Sequence, residues 1–474
     1  MKLSHWTGSP ERRHFAVLAL ASAVLLLGAI RLGDLAGYDD AMFAAEAKNI
    51  VRSGQWLPLM MRGAPAGEHP PLFVWMQALS FYAFGISDMA AKLPSALCGL
   101  GVVLLVWWLS RRLLGDAVAA GAAMFVMLAT PYFLKYSNRA MTDVPTTFFF
   151  VCAVCCWVQA RRSRSWYLAA GLFTGLALVT RGLIGFALPL AFAMDYALAR
   201  RHAPESTFGT AERSYLLAGL LLALAPLAAW YAFFMTSVPG FLAEQRRWLD
   251  EQVYGGLTPA WRRYTGAPEY IWMLAKSYWP WLPAMAAGAA LAIRQRRREL
   301  YVLLCWAGAV FFLCAITRSR VLRYMLPAYP AFSILAAAAI ARYVPRAKLS
   351  RALDWAAPMA VIAALGIVTF KPPSHHAAVI LPLVQAMPSG ERPWVALYDE
   401  GQPRWDEANQ LEWYGECIPK LVRSKEELRN VLGRGEIRHI IADRRTYEDE
   451  IAPLPHLVRA RSGHLVYVRL EGPG

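Results

Sequence analysis

Residues 38–94 read YDDAMFAAEAKNIVRSGQWLPLMMRGAPAGEHPPLFVWMQALSFYAFGISDMAAKLP and follow the first long apolar run of the chain. This segment holds three carboxylates, those of Asp39, Asp40 and Glu68, and the imidazole of His69. Ionisable groups are costly in and beside a bilayer, and membrane proteins keep them mainly where they function. The four side chains therefore indicate half of an active site at a membrane surface.

The composition of the whole chain is that of a polytopic membrane protein. Hydrophobic residues make up 57% of the sequence, charged residues 17%, and the mean hydropathy is +0.33, whereas about a quarter of the residues of an ordinary soluble protein are charged. The formal net charge is +16, but Lys and Arg fall in short clusters between apolar runs and form no continuous basic stripe. We therefore predict a lipid bilayer as partner and exclude nucleic acid.

Apolar stretches that could cross a bilayer recur about eleven times, since a span needs about 20 residues. The first stretch follows basic residues as a signal peptide would, but no small-residue cleavage site precedes the charged loop, so we expect a retained helix. The stretches are 14–33, 89–110, 117–134, 142–160, 166–180, 182–199, 214–236, 275–293, 299–317, 323–341 and 352–370.

Basic residues decide the predicted orientation. With a cytoplasmic N-terminus every inner loop is basic, in agreement with the positive-inside rule. The inner clusters are Arg111 and Arg112; Arg161, Arg162 and Arg164; Arg200 and Arg201; 294–298; and Arg342, Arg346, Lys348 and Arg351. The segments then placed outside the cytoplasm are the outer loop 34–88, the turn 135–143, Arg181, the loop 236–270, the turn 318–323 and everything after Lys371.

Charged residues become frequent after residue 371, and the pattern changes to short strand-like runs and helix signals. Strands are predicted at 394–398 and 438–442, a hairpin at 459–470, and a helix after the capping box SKEE at 424–427. The chain therefore divides into a membrane domain, 1–371, and a small extracytoplasmic α/β domain, 372–474. About a hundred residues are enough for a modest core.

The outer loop predicts a helix followed by a rigid turn. Apolar side chains recur at helical spacing over 38–52, which favours an amphipathic helix in the membrane interface. Asp39 and Asp40 lie at its beginning, where capping of the helix is the alternative role for them. The following Pro-Pro pair holds Glu68 and His69 in an extended turn, and a plain connector is the alternative there.

Two further outer turns carry polar groups. The first holds Tyr136, Arg139 and Asp143. The alternatives to a site are that Asp143 is a solvated charge at the helix end or forms an ion pair with Arg139. The second holds arginines suited to bidentate phosphate binding, and outward arginine runs against the positive-inside tendency. The predicted phosphate-binding residues are Arg318, Arg320, Arg323 and Tyr324, with Arg181 and Lys135 as further outward cations.

Taken in order, these motifs resemble those of the ArnT-like and protein O-mannosyltransferase-like glycosyltransferases of the GT-C class. The resemblance covers about residues 10–345 and implies a GT-C fold of about eleven transmembrane helices. The residues that carry it are Asp39 with Asp40, SGQW at 53–56, EHPPL at 68–72, KLPSAL at 92–97, MTD at 141–143, YWPW at 278–281 and the segment 320–330.

The resemblance implies a bacterial inner-membrane enzyme that transfers a sugar from a polyprenyl-phosphate carrier to an acceptor outside the cytoplasm. It implies catalytic roles for Asp39 and Asp143. The acceptor stays open between a lipid A-like glycolipid, an envelope glycan and a protein. The residues expected to contact donor or acceptor are Asp40, Glu68, His69, Tyr136 and Arg139.

Two departures from the aminoarabinose transferases bear on a metal. In those enzymes the acidic residue before the Pro-Pro pair, here Glu68, helps to hold a divalent metal. They have Lys where this chain has His69, and a His in the third outer loop, where residues 236–270 contain none. A phosphate contact by His69 is therefore weakened, and a divalent metal at Glu68 stays open.

The same roles fit the reaction itself. A sugar on a lipid phosphate has a good leaving group, so the enzyme must bind that anion and deprotonate an acceptor hydroxyl. Asp39 as the base, with Asp143 as its orienting or acceptor-binding partner, would deprotonate the acceptor. Arg320 and Arg323 would bind the phosphate anion.

The main alternative is a transporter or flippase of a lipid-linked or anionic substrate. It predicts charges near the bilayer midplane or broken helices in paired halves, whereas the charges here collect at one surface. A third hypothesis makes the outer domain a binding module that the helices anchor, although anchoring needs far fewer spans.

Overall fold

The computed structural model describes residues 10–202, 210–249, 266–317, 321–388, 394–398, 405–415, 417–422, 424–433 and 437–471. The chain forms two compact units. The first consists of Met1–Ile30, Gly67–Phe73 and Lys92–Lys371, and the second of Arg31–Ala66, Val74–Ala91 and Pro372–Gly474. The second unit therefore contains most of the outer loop together with the C-terminal α/β fold. The domain boundary at 371/372 stays a prediction.

Helices make up the first unit and part of the second. In chain order the helices within the described residues are α1 (Pro10–Gly28), α2 (Asp39–Ser53), α3 (Leu72–Phe84), α4 (Asp88–Leu114), α5 (Ala117–Leu128), α6 (Pro131–Ser137), α7 (Asp143–Ala160), α8 (Trp166–Arg181), α9 (Ala187–His202), α10 (Thr210–Ser237), α11 (Phe241–Leu249), α12 (Gly266–Ser277), α13 (Leu282–Arg294), α14 (Tyr301–Ile316), α15 (Tyr329–Tyr343), α16 (Arg346–Phe370), α17 (Leu381–Gln385), α18 (Trp405–Tyr414), α19 (Lys425–Gly433) and α20 (Arg444–Thr446).

Within the described residues, eight helical stretches are long and apolar enough to cross a membrane. Helices α5 and α6, bent by 66° at a short break, would form a ninth as a pair, and α3 and α13 are apolar but shorter. The polytopic α-helical class with a small C-terminal sheet is therefore confirmed. The number of about eleven spans stays a prediction.

The segment around residue 182 differs from its prediction. Two spans are expected there, but α8 and α9 form one apolar stretch, Trp166–Ala199, that is broken only by a 3-10 turn over Gly182–Phe186. Gly182 has φ +44°, a conformation that glycine adopts without strain. Because each added span reverses the side of every later loop, the orientation of the later loops also stays a prediction.

Glycines let some helices of the first unit pack backbone to backbone. A Cβ atom added at Gly171 of α8 would collide with the backbone of Gly219 in α10, and one at Gly288 of α13 would collide with the backbone of Leu335 in α15. Small residues at such crossings are typical of helix pairs in membranes, where close van der Waals packing drives association.

The second unit is built around a five-stranded mixed sheet. Its strand order is β4-β3-β5-β7-β6, with β3 parallel to β4 and β5, and β7 antiparallel to β5 and β6. A separate two-stranded hairpin, β1–β2, comes from the outer loop. The strands are β1 (Leu59–Met61), β2 (Ala64–Ala66), β3 (Trp394–Tyr398), β4 (Ile418–Val422), β5 (His439–Asp443), β6 (His456–Ser462) and β7 (Leu465–Leu470).

Side chains alternate between the two faces of the sheet, as strand geometry requires. Leu397 packs on one face with Leu411 of α18, and Tyr398 packs on the other with Leu428 of α19. The predicted strands, capped helix and hairpin of this region are confirmed, and the amide of Glu427 donates to the Ser424 hydroxyl at 3.1 Å. Strand β4 and helix α18 were not predicted.

Candidate active site

Helix α2 begins with the two aspartates and is buried along most of its length. Asp39 is 8% exposed and Asp40 is fully buried, and every residue from there to Ile50 is buried. The helix predicted at 38–52 is present. An amphipathic interfacial helix would expose its polar face, but Glu46 and Lys48 are buried as well.

Lys48 is held by the end of helix α18 within the second unit. Its ammonium donates to the backbone carbonyls of Trp413 at 2.6 Å, and of Glu412 and Gly415 at 3.3 Å each. The last carbonyls of a helix have no partner inside the helix, and they form the negative end of its dipole. The three donors of one ammonium group therefore satisfy three carbonyls where a cation is favoured.

The buried carboxylate of Glu412 joins α2 to the β1–β2 hairpin. Asn49 donates its side-chain amide to Glu412 at 3.0 Å and to the carbonyl of Met60 at 2.9 Å. The backbone amide of Arg62, in the hairpin turn, donates to both carboxylate oxygens at 3.1 and 3.0 Å. Hydrogen bonds to a charged acceptor are stronger than those between neutral groups, so this network fixes the hairpin against the helix.

Helix α18 also binds the chain just before Asp39. The side chain of Asn409 donates to the carbonyl of Tyr38 at 2.9 Å. The Tyr414 hydroxyl accepts from the amide of Leu35 at 2.7 Å and donates to Asp88 at 3.1 Å. Burial, and then the charge of Asp88, raise the pKa of Tyr414 above its ordinary value, so this hydroxyl stays a donor. These bonds fix the backbone from which the two aspartates project.

Replacing Lys48 by Met should destabilise the second unit by about 1.5–3 kcal/mol, the usual worth of hydrogen bonds to a charged group. Three buried carbonyls would lose their donor. Amide hydrogen exchange over 405–415 measures the loss, and Lys48→Arg should recover part of it. The matched control is Lys425→Met, which removes a surface ion pair and should cost less than about 1 kcal/mol. Equal amide exchange in the two Met variants would contradict a stabilising role for the bonds from Lys48 to the end of α18.

In the first unit, Asp143 is the first residue of α7 and forms an ion pair with Arg181, the last residue of α8. The Asp143 side chain is 1% exposed and that of Arg181 18%. The Arg181 guanidinium also lies 4.6 Å from the centre of the Tyr324 ring, and Arg323 lies 5.8 Å from the same ring. Two guanidinium groups thus lie near one aromatic ring, and one of them is paired with the Asp143 carboxylate.

Tyrosines continue from the Asp143 region into the first unit. Tyr136 is buried in α6, and its ring lies 4.9 Å from that of Tyr132, which in turn lies 6.3 Å from Tyr329. The Tyr329 hydroxyl is 3.1 Å from the hydroxyl of Ser277. Arg139 lies half-buried in the turn after α6, where its amide donates to the Tyr136 carbonyl at 3.2 Å. This row brings several hydroxyl groups close to one another.

The Glu68 and His69 turn lies between β2 and α3. Glu68 is exposed and His69 half-buried, and Gln245 donates to the carbonyl of Gly67 at 2.5 Å. Among the described residues no group of three or more His, Cys, Asp or Glu side chains could hold a metal ion. The described side chains around Glu68 form no such group, and a metal at Glu68 stays a prediction. Arg318 and Arg320 lie outside the described residues.

The structure brings together some predicted site residues and adds others. Asp143, Arg323 and Tyr324 form one group, and sequence reasoning missed that Arg181 pairs with Asp143. It named an ion pair of Asp143 with its sequence neighbour Arg139 only as an alternative to a site. It also missed Lys48 and Glu412, although charges inside an apolar helix pattern are a signal that such residues are buried and paired.

Comparison with known proteins gives a consistent picture. Residues 68–233 match the profile of a family described as dolichyl-phosphate-mannose-protein mannosyltransferase. The chain is 24% identical over 330 residues to the undecaprenyl phosphate-alpha-4-amino-4-deoxy-L-arabinose arabinosyl transferase of Edwardsiella ictaluri, an alignment that covers 64% of this chain and 55% of that protein. The chain thus spans little more than half the length of such curated relatives.

The fold is similar to that of ArnT from Cupriavidus metallidurans. The apo crystal structure gives a TM-score of 0.73 at 20% identity and covers 97% of this chain and 99% of that one. The structure with bound undecaprenyl phosphate gives 0.69 at 19% identity and covers 97% and 98%. The predicted resemblance to ArnT-like and protein O-mannosyltransferase-like proteins is confirmed, and the chain has a GT-C fold.

Proposed function

We propose that this chain, which resembles the ArnT-like and protein O-mannosyltransferase-like proteins in sequence and ArnT in fold, is a membrane glycosyltransferase. It moves a sugar from a polyprenyl-phosphate carrier to a hydroxyl group of an extracytoplasmic acceptor. The names of the matched family and of the curated relatives share one chemistry, a sugar carried on a polyprenyl phosphate. In this proposal the N-terminus is cytoplasmic and the α/β fold extracytoplasmic.

The observation that carries the proposal is the group of Asp143, Arg181, Arg323 and Tyr324. When the sugar leaves its carrier, the bond from C1 to the phosphate oxygen breaks and its electron pair stays on the phosphate. Guanidinium groups stabilise that developing charge. Asp143 holds Arg181 in place through the ion pair, and Arg323, together with the sequence neighbours Arg318 and Arg320, contacts the phosphate.

Asp39 is the proposed base. Its carboxylate takes the proton from the acceptor hydroxyl as that oxygen attacks C1 of the sugar, which balances the charge left on the phosphate. Support comes from the bonds that fix the chain around it, since Asn409 holds the carbonyl of Tyr38. A base on rigid backbone keeps its geometry without reorganisation. Asp40, Glu68, His69, Tyr136 and Arg139 contact donor or acceptor in this proposal.

A reconstituted transfer assay tests the proposal. The full chain in lipid nanodiscs is incubated with radiolabelled undecaprenyl-phosphate sugars, one carrying 4-amino-4-deoxyarabinose and another mannose, together with envelope extract as acceptor. We expect label to move from the polyprenyl fraction to the acceptor with release of undecaprenyl phosphate, and empty nanodiscs serve as the control. A second preparation, the full chain in proteoliposomes, tests the flippase alternative. Donor that crosses the proteoliposome membrane without losing its sugar would favour that alternative and overturn the proposal.

A further inference from the structure

A groove of about 550 Å³ opens on the second unit. Five separate pieces of the chain form its walls: the turn of the β1–β2 hairpin, the start of β3, the start of α18, the edge strand β4 and the segment just before β5. The volume lies within the range of about 300–1,000 Å³ that is usual for small-molecule sites. Its lining includes Arg62, Trp394, Trp405, Lys420, Leu421 and Ile437.

Two indole rings give the groove flat apolar surfaces. Trp394 is 45% exposed, although it opens a strand of the sheet. A Cβ atom at Gly63, which has φ +77°, would lie 3.0 Å from the Trp394 ring, so glycine lets the hairpin turn sit against the indole. Large aromatic rings that stay partly exposed are typical of binding surfaces, and their faces match the apolar C–H faces of a pyranose ring.

The charged side chains among the lining residues are cationic. The Arg62 guanidinium lies 4.4 Å from the centre of the Trp405 ring, and the backbone of Arg62 is fixed by its two bonds to Glu412. Lys420 is half-buried on β4, and its side chain forms no hydrogen bond or ion pair with any described residue. A rigid guanidinium fork and an ammonium group suit a phosphate or carboxylate.

We propose that this groove binds an anionic saccharide, the glycan part of the acceptor. A sugar ring lies against Trp394 and Trp405, and its phosphate or carboxylate group contacts Arg62 and Lys420. The inference rests on the proposed function, which supplies the acceptor role, but it adds the chemical class of that acceptor. An acidic peptide could use the two cations but has no ring faces to offer the indoles.

Binding is measured on the full chain in nanodiscs of zwitterionic lipid, without donor. The probe is a soluble phosphorylated glucosamine disaccharide, compared with the unphosphorylated disaccharide, inorganic phosphate and an oligoglutamate peptide. We expect the phosphorylated disaccharide to bind at least about tenfold more tightly than each of the others, a difference of about 1.4 kcal/mol. Saturation-transfer NMR should show ring protons in contact with protein. Equal binding of the peptide or of free phosphate would overturn the proposal.

Variants identify the groove as the place of binding. Trp394→Ala and Lys420→Ala should each weaken the phosphorylated disaccharide about five- to tenfold, and Trp394→Phe should restore most of the affinity. The matched control is Arg459→Ala, because Arg459 is an exposed cation on β6, at the opposite edge of the sheet. Weakening by the control as large as that by Lys420→Ala, with unchanged thermal unfolding, would contradict the assignment.

Two further experiments are needed. One distinguishes a lipid-borne glycan from a free one, and the other distinguishes failure of the groove proposal from failure of the transferase proposal. If a glycolipid bearing the same disaccharide in the nanodisc displaces the soluble probe, the natural ligand is lipid-borne, and if it does not, it is a free glycan. Transfer that is unaffected in Trp394→Ala and Lys420→Ala overturns the groove while leaving the transferase intact. Binding without any transfer leaves the groove intact and overturns the proposed function.

Discussion

Replacing Asp39 by Asn should lower the turnover of sugar transfer by about 10²–10⁴-fold, the usual contribution of a general base. The substitution keeps the shape and the position at the start of α2 but removes the proton acceptor. Turnover with a saturating polyprenyl-phosphate donor is the readout.

The control for this variant is Asp449→Asn, which changes an exposed carboxylate of the same type in the second unit. We expect its transfer rate and its thermal unfolding to equal those of the parent chain. Asp39→Asn should unfold at nearly the parent temperature, so that lost turnover is not lost fold. If Asp39→Asn retained more than about a third of the parent rate, the base would have to be another group.

Replacing Arg181 by Gln should destabilise the first unit by about 3–5 kcal/mol, because one partner of a buried ion pair is removed and the Asp143 carboxylate keeps its charge in a buried place. Thermal and denaturant unfolding of the protein in detergent measures the change. The stability of Arg181→Lys should fall between that of the parent chain and that of Arg181→Gln, since an ammonium keeps the charge but not the planar stacking on Tyr324.

The double variant Arg181→Gln with Asp143→Asn separates stability from catalysis. With both charges removed, we expect most of the lost stability to return, because no uncompensated charge is left. Transfer should nevertheless stay at least about tenfold below the parent rate, since the arrangement around the donor phosphate is gone. A double variant as unstable as Arg181→Gln would show that the ion pair is not the source of the loss.

The local sequence pattern was enough to predict the helices and strands of the fold, but not which side chains pair with one another. Apolar runs of span length predicted where the membrane helices lie, and the alternation from Trp394 to Tyr398 predicted a buried strand, because both signals are carried by consecutive residues. Arg181, which pairs with Asp143, lies at the end of the next helix and not in the same turn. No periodicity in a single helix points to Arg181.

Helix α2 shows a second limit of pattern reading. Its many alanines produce a weakly amphipathic pattern, but small side chains also let both faces of a helix pack closely, and the structure buries them on all sides. The polar residues on this helix then need internal partners. The partners of Lys48, the carbonyls at the end of α18, are backbone groups. A sequence pattern carries no information about which backbone groups will meet a given side chain.

The bonds between Lys48 and α18 also constrain the order in which the protein can be made. The ammonium and the Glu412 carbonyl are 364 positions apart, so the ribosome releases α2 long before its partner exists. Until then a helix with a buried-type lysine must remain hydrated, because water is the only other solvent for that charge. We expect the newly made protein to stay inactive in the proposed transfer until α18 has been synthesised and has folded against α2.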